Sequence, residues 1–132
     1  MKADPATEIA MIDVLDRFCS AFTRRDPRAV MGLCGADVDL VVVTSESAIL
    51  RGPAELRSFL DRYAAEPTTY SWRWDHHDVS QAGDAAWLLA SGRETAVTGE
   101  QRTEHPYRMT MVAQRRQGAW LLLQVHGSSP HE

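Results

Sequence analysis

Tyr70-Ser71-Trp72-Arg73-Trp74-Asp75-His76-His77-Asp78-Val79 decides the class of the fold. With a period of two, Tyr70, Trp72, Trp74, His76 and Asp78 point one way, and Ser71, Arg73, Asp75, His77 and Val79 the other, as on a pleated strand. Gln81-Ala82-Gly83 then reads as a three-residue hairpin loop whose glycine takes the left-handed position. On that count Ser80 pairs with Asp84, His77 with Trp87, Asp75 with Leu89 and Arg73 with Ser91.

A second ribbon of the same construction turns at Arg116-Gln117-Gly118, setting Arg108 opposite His126, Thr110 opposite Gln124 and Val112 opposite Leu122. One of its faces is almost wholly apolar: Tyr107, Met109, Met111, Ala113, Leu121, Leu123 and Val125. The other mixes Arg108, Thr110, Gln114, Trp120, Gln124 and His126. A sheet open to water on one side would carry more charge than this, so both faces are expected to be at least partly covered. The stretch from Thr68 to Ser129 holds all four tryptophans and four of the five histidines.

Upstream the period changes to that of a helix. Asp4-Pro5 supplies an N-cap and a first-turn proline, and Met11, Leu15, Phe18 and Phe22 form one apolar stripe. Asp26-Pro27 repeats the start signal for a short second helix through Val30, Leu33 and Cys34, ended by Gly35. Val38 to Val43 is β-branched and reads as a strand, Thr44 to Ser47 as a polar turn, and Ala48 to Leu50 as a brief return strand. Gly52-Pro53 opens a third helix with Leu56, Phe59, Leu60 and Tyr63 on one face, closed by Pro67.

Helices first and long hairpins after give an α+β class, with the helices segregated to one side of an antiparallel sheet. The 132 residues make one domain, 1–132, large enough for a single core. With 44% hydrophobic and 24% charged residues the composition is that of a globular protein, and a net charge of −4 argues against nucleic acid as a partner. No apolar run approaches the length of a membrane span and the N-terminus lacks a signal-like apolar segment, so no membrane partner and a cytoplasmic location are expected. Cys19 and Cys34 have no metal-ligand spacing and read as buried hydrophobes. His76 and His77 are adjacent on a strand and point apart, so no metal and no cofactor are expected.

Several segments resemble the nuclear transport factor 2-like superfamily and, within it, the SnoaL-like branch: Phe18-Cys19-Ser20-Ala21-Phe22 followed by Arg25-Asp26-Pro27; Leu50-Arg51-Gly52-Pro53-Ala54-Glu55-Leu56-Arg57-Ser58-Phe59; Gly83-Asp84-Ala85-Ala86-Trp87; and Thr110 with Gly118-Ala119-Trp120 and His126-Gly127-Ser128. The resemblance implies a cone-shaped roll, a strongly curved antiparallel sheet wrapped around three N-terminal helices, with a cavity opening at one end. Its ketosteroid-isomerase relatives carry a carboxylate base and a tyrosine-based oxyanion hole, and its polyketide-cyclase relatives a His and Asp pair; neither set maps onto numbered positions here. Similarity to the association domain of calcium/calmodulin-dependent kinase implies a cavity position for Arg93, whereas Met111 stands where that domain has a second arginine.

An inward Arg93 brings Arg73, Asp75, His77, Trp87 and Ser91 to its face, with Asp75 and His77 as the acid–base candidates. The expected ligand lining is Tyr63, Trp87, Arg93, Tyr107 and Met111. Arg108, Trp120, Gln124 and His126 form either a dimer interface or, should a bulge exchange the faces, the pocket itself. Two functional readings stand. One is a small homodimeric protein binding a small apolar or weakly polar ligand, with cofactor-free isomerase, cyclase or dehydratase chemistry by proton transfer. The other is a non-catalytic association or ligand-sensing module of the same fold.

Overall fold

The computed structural model describes residues 1–130 apart from Val38 and Ser47. The expected strand start at Val38 and turn end at Ser47 therefore lie outside the described residues. Helix α1 (Pro5–Thr23) starts where Asp4 accepts a hydrogen bond from the Thr7 amide at 2.8 Å, and Pro5 fills the first position. Met11, Leu15 and Phe18 are buried along it. Asp26 caps α2 (Pro27–Gly32) in the same way, through the Ala29 amide at 3.1 Å. This helix stops earlier than expected. Cys34 instead bridges in parallel to Leu122, and the Gly35 amide donates to the Leu122 carbonyl at 2.8 Å. Short strands β1 (Val41–Val43) and β2 (Ile49–Arg51) precede α3 (Gly52–Ala64), which buries Leu56, Leu60 and Tyr63.

Four long strands follow: β3 (Thr68–Ala82), β4 (Ala85–Thr98), β5 (Gln101–Arg116) and β6 (Ala119–Ser128). The six-stranded sheet has the order β2-β1-β6-β5-β4-β3. Every neighbouring pair is antiparallel except β1 with β6, because β1 comes back beside the last strand in the same direction. The helices cover one face of this curved sheet, and the core lies between α1 and the inward residues Leu88, Ala90, Met111, Ala113 and Leu122. Among the described residues no helix is long and apolar enough to cross a membrane.

The hairpin loops are tighter than the sequence count. Gly83-Asp84, Gly99-Glu100 and Gln117-Gly118 each connect strands with two residues, and positive φ angles at Gly83, Gly99, Gln117 and Gly118 give them the twist that two-residue hairpins need. Ser80 thus pairs with Trp87 and not with Asp84; His77 faces Ala90, and Arg73 faces Arg93. Each ribbon also carries a bulge. Asp75 is left without a partner between Trp74 and His76, and Leu123 is the extra residue opposite the step from Val112 to Ala113. The first bulge depends on Gly92, where a Cβ would overlap the Arg73 carbonyl.

The bulge at Asp75 changes which side chains share a face. Below it Val79 points inward beside Leu88; above it the inward residues are Tyr70, Trp72 and Trp74, paired with Ala96, Glu94 and Gly92. The even-numbered residues of β4 therefore face the helices along its length, and Trp87, Ser91 and Arg93 face outward.

Candidate functional site

A cavity of about 440 Å³ opens between the upper half of the sheet, the ends of α1 and α3, and the loop after β1. Phe18 and Phe22 reach it from α1, Phe59 and Tyr63 from α3, and Tyr70 and Trp72 from β3. The rings support one another. Phe22 stacks on Tyr63 with centroids 4.4 Å apart and meets Trp72 edge-on at 5.6 Å.

Glu94 enters this apolar space from the middle of β4, with 4% of its surface exposed. The cross-strand ladder explains its partners, because Trp72, Glu94 and His105 occupy one row across β3, β4 and β5. Trp72 Nε1 donates to Glu94 Oε2 at 2.9 Å, and His105 Nε2 lies 2.9 Å from Oε1. Burial pushes the Glu94 carboxyl above its ordinary value; His105 and the Trp72 N–H act in the opposite direction without cancelling it. His105 itself is 37% exposed, so the pair joins a buried carboxylate to solvent.

Tyr107 occupies the next row, opposite Gly92, and is 5% exposed. Burial raises its phenol to about 12, with the Ser45 hydroxyl pulling the other way, so the hydroxyl remains a donor at neutral pH. Its place is cut out by Gly127: a Cβ there would overlap the Tyr107 hydroxyl. Tyr63 and Tyr70 are also raised by burial, and Glu46 adds to the effect on Tyr70.

A smaller slot of about 270 Å³ lies behind Trp72, between α1 and β3. The Trp74 indole N–H is buried there without a hydrogen-bond partner among the described residues, although the Cys19 thiol lies beside it. Burial pushes that thiol to about 12, which makes it inert as a nucleophile.

Of the expected lining, Tyr63 and Tyr107 border the cavity. The others do not. Met111 is fully buried in the core, whereas Trp87, at 36% exposure, and Arg93, 3.9 Å from Glu104, stand on the outer face. Asp75 is the exposed bulge residue, 3.7 Å from Arg73, and His77 is exposed on the strand below it. His77, opposite Ala90, shares the face of Val79 and is thereby parted from Trp87 and Arg93, while Asp75 stays on the outer face beside Arg73. Arg108, Gln124 and His126 are exposed on the outer face, away from the cavity. Trp120 is not with them: the second bulge turns it to the side of Leu122, where it packs against the core beneath the Arg115 guanidinium at 5.0 Å.

Glu94 and His105 escaped the sequence reading because the ribbon joining β4 to β5 was not counted. Outward from Gly99-Glu100, the pairing of Thr98 with Gln101 leads directly to Glu94 opposite His105. Glu94, the one acid between Ala85 and Ala96 and of the same parity as Leu88 and Ala90, was the available signal.

A curved, mixed six-stranded sheet closed by three helices around an aromatic cavity is the α+β cone of the nuclear transport factor 2-like type. The chain belongs to the SnoaL-like domain family, whose model matches residues 12–132. No curated protein matches it. Similar solved structures include a candidate dehydratase of the NTF2-like family from Streptomyces avermitilis, at 19% identity and a TM-score of 0.86 over 98% of this chain and 100% of that one. A candidate aromatic ring hydroxylase from Novosphingobium aromaticivorans is similar at 17% identity and a TM-score of 0.87, covering 99% of this chain and 94% of the other. A candidate calcium/calmodulin-dependent protein kinase type II association domain from Thiobacillus denitrificans aligns at 18% identity and a TM-score of 0.73, over 89% of this chain and 93% of its own. At these identities the likeness is one of fold.

Proposed function

We propose that the chain takes a ring-bearing, largely apolar small molecule into the cavity and moves a proton on it without a cofactor, with Glu94 and His105 as the acid–base pair. The observation that carries this reading is the buried Glu94 carboxyl, fixed by Trp72 on one oxygen and His105 on the other, at the wall of an aromatic cavity. A carboxyl raised by burial is a stronger base when ionised than one in water. Glu94 accepts a proton from an acidic C–H of the substrate, and the Tyr107 O–H meets the charge that develops on the neighbouring oxygen. Return of that proton to another carbon completes an isomerisation. Its passage to a leaving hydroxyl, which departs as water, completes a dehydration. His105, partly open to solvent, holds the Glu94 carboxylate through Oε1 during both transfers.

Hydrogen–deuterium exchange of 2-tetralone in D2O tests this without knowledge of the substrate. The wild-type protein should accelerate exchange over buffer by about a hundredfold or more, and Glu94→Gln should lose most of that gain. Equal rates for the two proteins would remove the proposal.

The outer face supports a partner as well. Trp87 and Leu89, 36% and 44% exposed, lie on it beside Val112, and a second copy of this chain is the occupant we propose. The net charge of −4 supports the absence of a nucleic-acid partner.

A further inference from the structure

The ionisable residues that line the cavity are mostly acids. Three acids, Glu46, Glu66 and Glu94, border it against one base, Arg62, among the described residues. The neighbouring basic side chains are engaged elsewhere: Arg25 holds the carbonyls of Ala64 and Thr68 and lies 5.5 Å over the Tyr63 ring, and His105 is on Glu94. Arg62, Glu46 and Glu66 are all exposed, where water and salt weaken their fields, so the buried Glu94 is the charge that bears most on a ligand inside. Within the cavity, Phe22, Tyr63, Tyr70, Trp72 and Tyr107 present ring faces and edges in one continuous group.

From this we infer that the ligand is an organic cation, an amine or quaternary ammonium attached to a ring system, with its charged nitrogen seated at Tyr70 between Glu46 and Glu94. Aromatic faces attract a cation through their quadrupole, and the attraction strengthens when water is excluded. Tyr63 already holds Arg25 in this manner from outside the cavity. Tyr70 borders the cavity together with Glu46 and Glu94, and its ring lies 6.0 Å from that of Tyr63. A carboxylate ligand there would bury a second negative charge beside Glu94. The inference deepens the proposed function, resting on the cavity as the ligand site but not on proton transfer. An ammonium beside Glu94 would also favour its ionised, basic form.

Calorimetric titration of three probes sharing one ring system tests it: (2-naphthylmethyl)trimethylammonium, 2-naphthol and 2-naphthoate. The cation should bind at least about tenfold more tightly than naphthol, and naphthoate most weakly. Glu46→Gln should reduce the cation's advantage over naphthol by about threefold, and Tyr70→Leu should abolish it while naphthol still binds and so reports an intact fold. Naphthol binding as tightly as the cation, or naphthoate more tightly, overturns the charge preference while leaving the cavity as a ligand site. Failure of all three probes to bind overturns both.

Discussion

One methyl group added at Gly127 should cost stability and chemistry together, through a single contact. Gly127→Ala places a Cβ against the Tyr107 hydroxyl, with the ring carbons behind it also closer than ordinary contact. The backbone gains about 0.5–1 kcal/mol from losing a glycine, but overpacking a buried site costs about 1–3 kcal/mol. A net loss of about 1–2 kcal/mol corresponds to a Tm lower by about 3–6 °C for a chain of this size. Because Tyr107 cannot keep its place, the proposed oxyanion donor is displaced too, and 2-tetralone exchange should fall about 10²-fold. Adding Tyr107→Phe removes the clashing oxygen. The double variant should then recover about 1 kcal/mol relative to the sum of the two single changes, while its exchange rate stays low. Thermal and urea denaturation measure the first effect and NMR exchange the second. A Gly127→Ala protein as stable and as active as wild type, or a double variant whose losses simply add, would show that the Gly127 gap does not position Tyr107.

The pH dependence of folding provides a second test. Burial holds the folded pKa of Glu94 above its ordinary value, so the unfolded chain releases this proton first as pH rises. Stability contributed by the protonated group is complete below the unfolded pKa and is lost as pH climbs through the folded one. Stability of wild type relative to Glu94→Gln, followed by urea denaturation from about pH 4 to about pH 8, should therefore decline, and a flat or rising difference would count against a buried, raised carboxyl. On the outer face, Leu89→Arg should convert a dimer to monomers in sedimentation without lowering Tm by more than about 2 °C, since Leu89 is 44% exposed. An unchanged sedimentation coefficient would exclude that face as the contact.

The class of fold was legible because its signals are local. Proline at the helix starts, the stripe from Met11 to Phe22, and period-two alternation through Tyr70, Trp72 and Trp74 each report on a few neighbouring residues. The site was not legible, because it depends on register, which accumulates every loop length and bulge between two residues. The two-residue loop and the extra Asp75 between Trp74 and His76 put His77 on the opposite face from Trp87, and Arg93, given an inward place by resemblance to the association domain, faces outward with it. Tyr63 and Tyr107 survived as cavity residues because Tyr63 belongs to the buried stripe of α3 and Tyr107 to the inward row of β5, neither of which depends on the first ribbon. Glu94 stood apart in composition, yet only the ladder through Gly99 gives it His105 as a partner.

The same irregularities explain how a sheet can hold a buried acid at all. A regular ribbon would continue the row of Leu88 and Ala90 into further apolar packing against α1, leaving no gap between helix and strand. The bulge at Asp75, allowed by Gly92, instead turns Trp72 and Trp74 inward together. Gly127 removes a side chain where Tyr107 must fit, and the cavity opens above these two rows. Glu94 then loses water but gains the Trp72 N–H and His105, a compensation that limits the cost without bringing its carboxyl back to the ordinary range. Replacing it by leucine would relieve the cost of burying a carboxyl but leave the Trp72 N–H without its acceptor. Packing alone gives no reason to place an acid in this row, whereas the chemistry proposed for the cavity does.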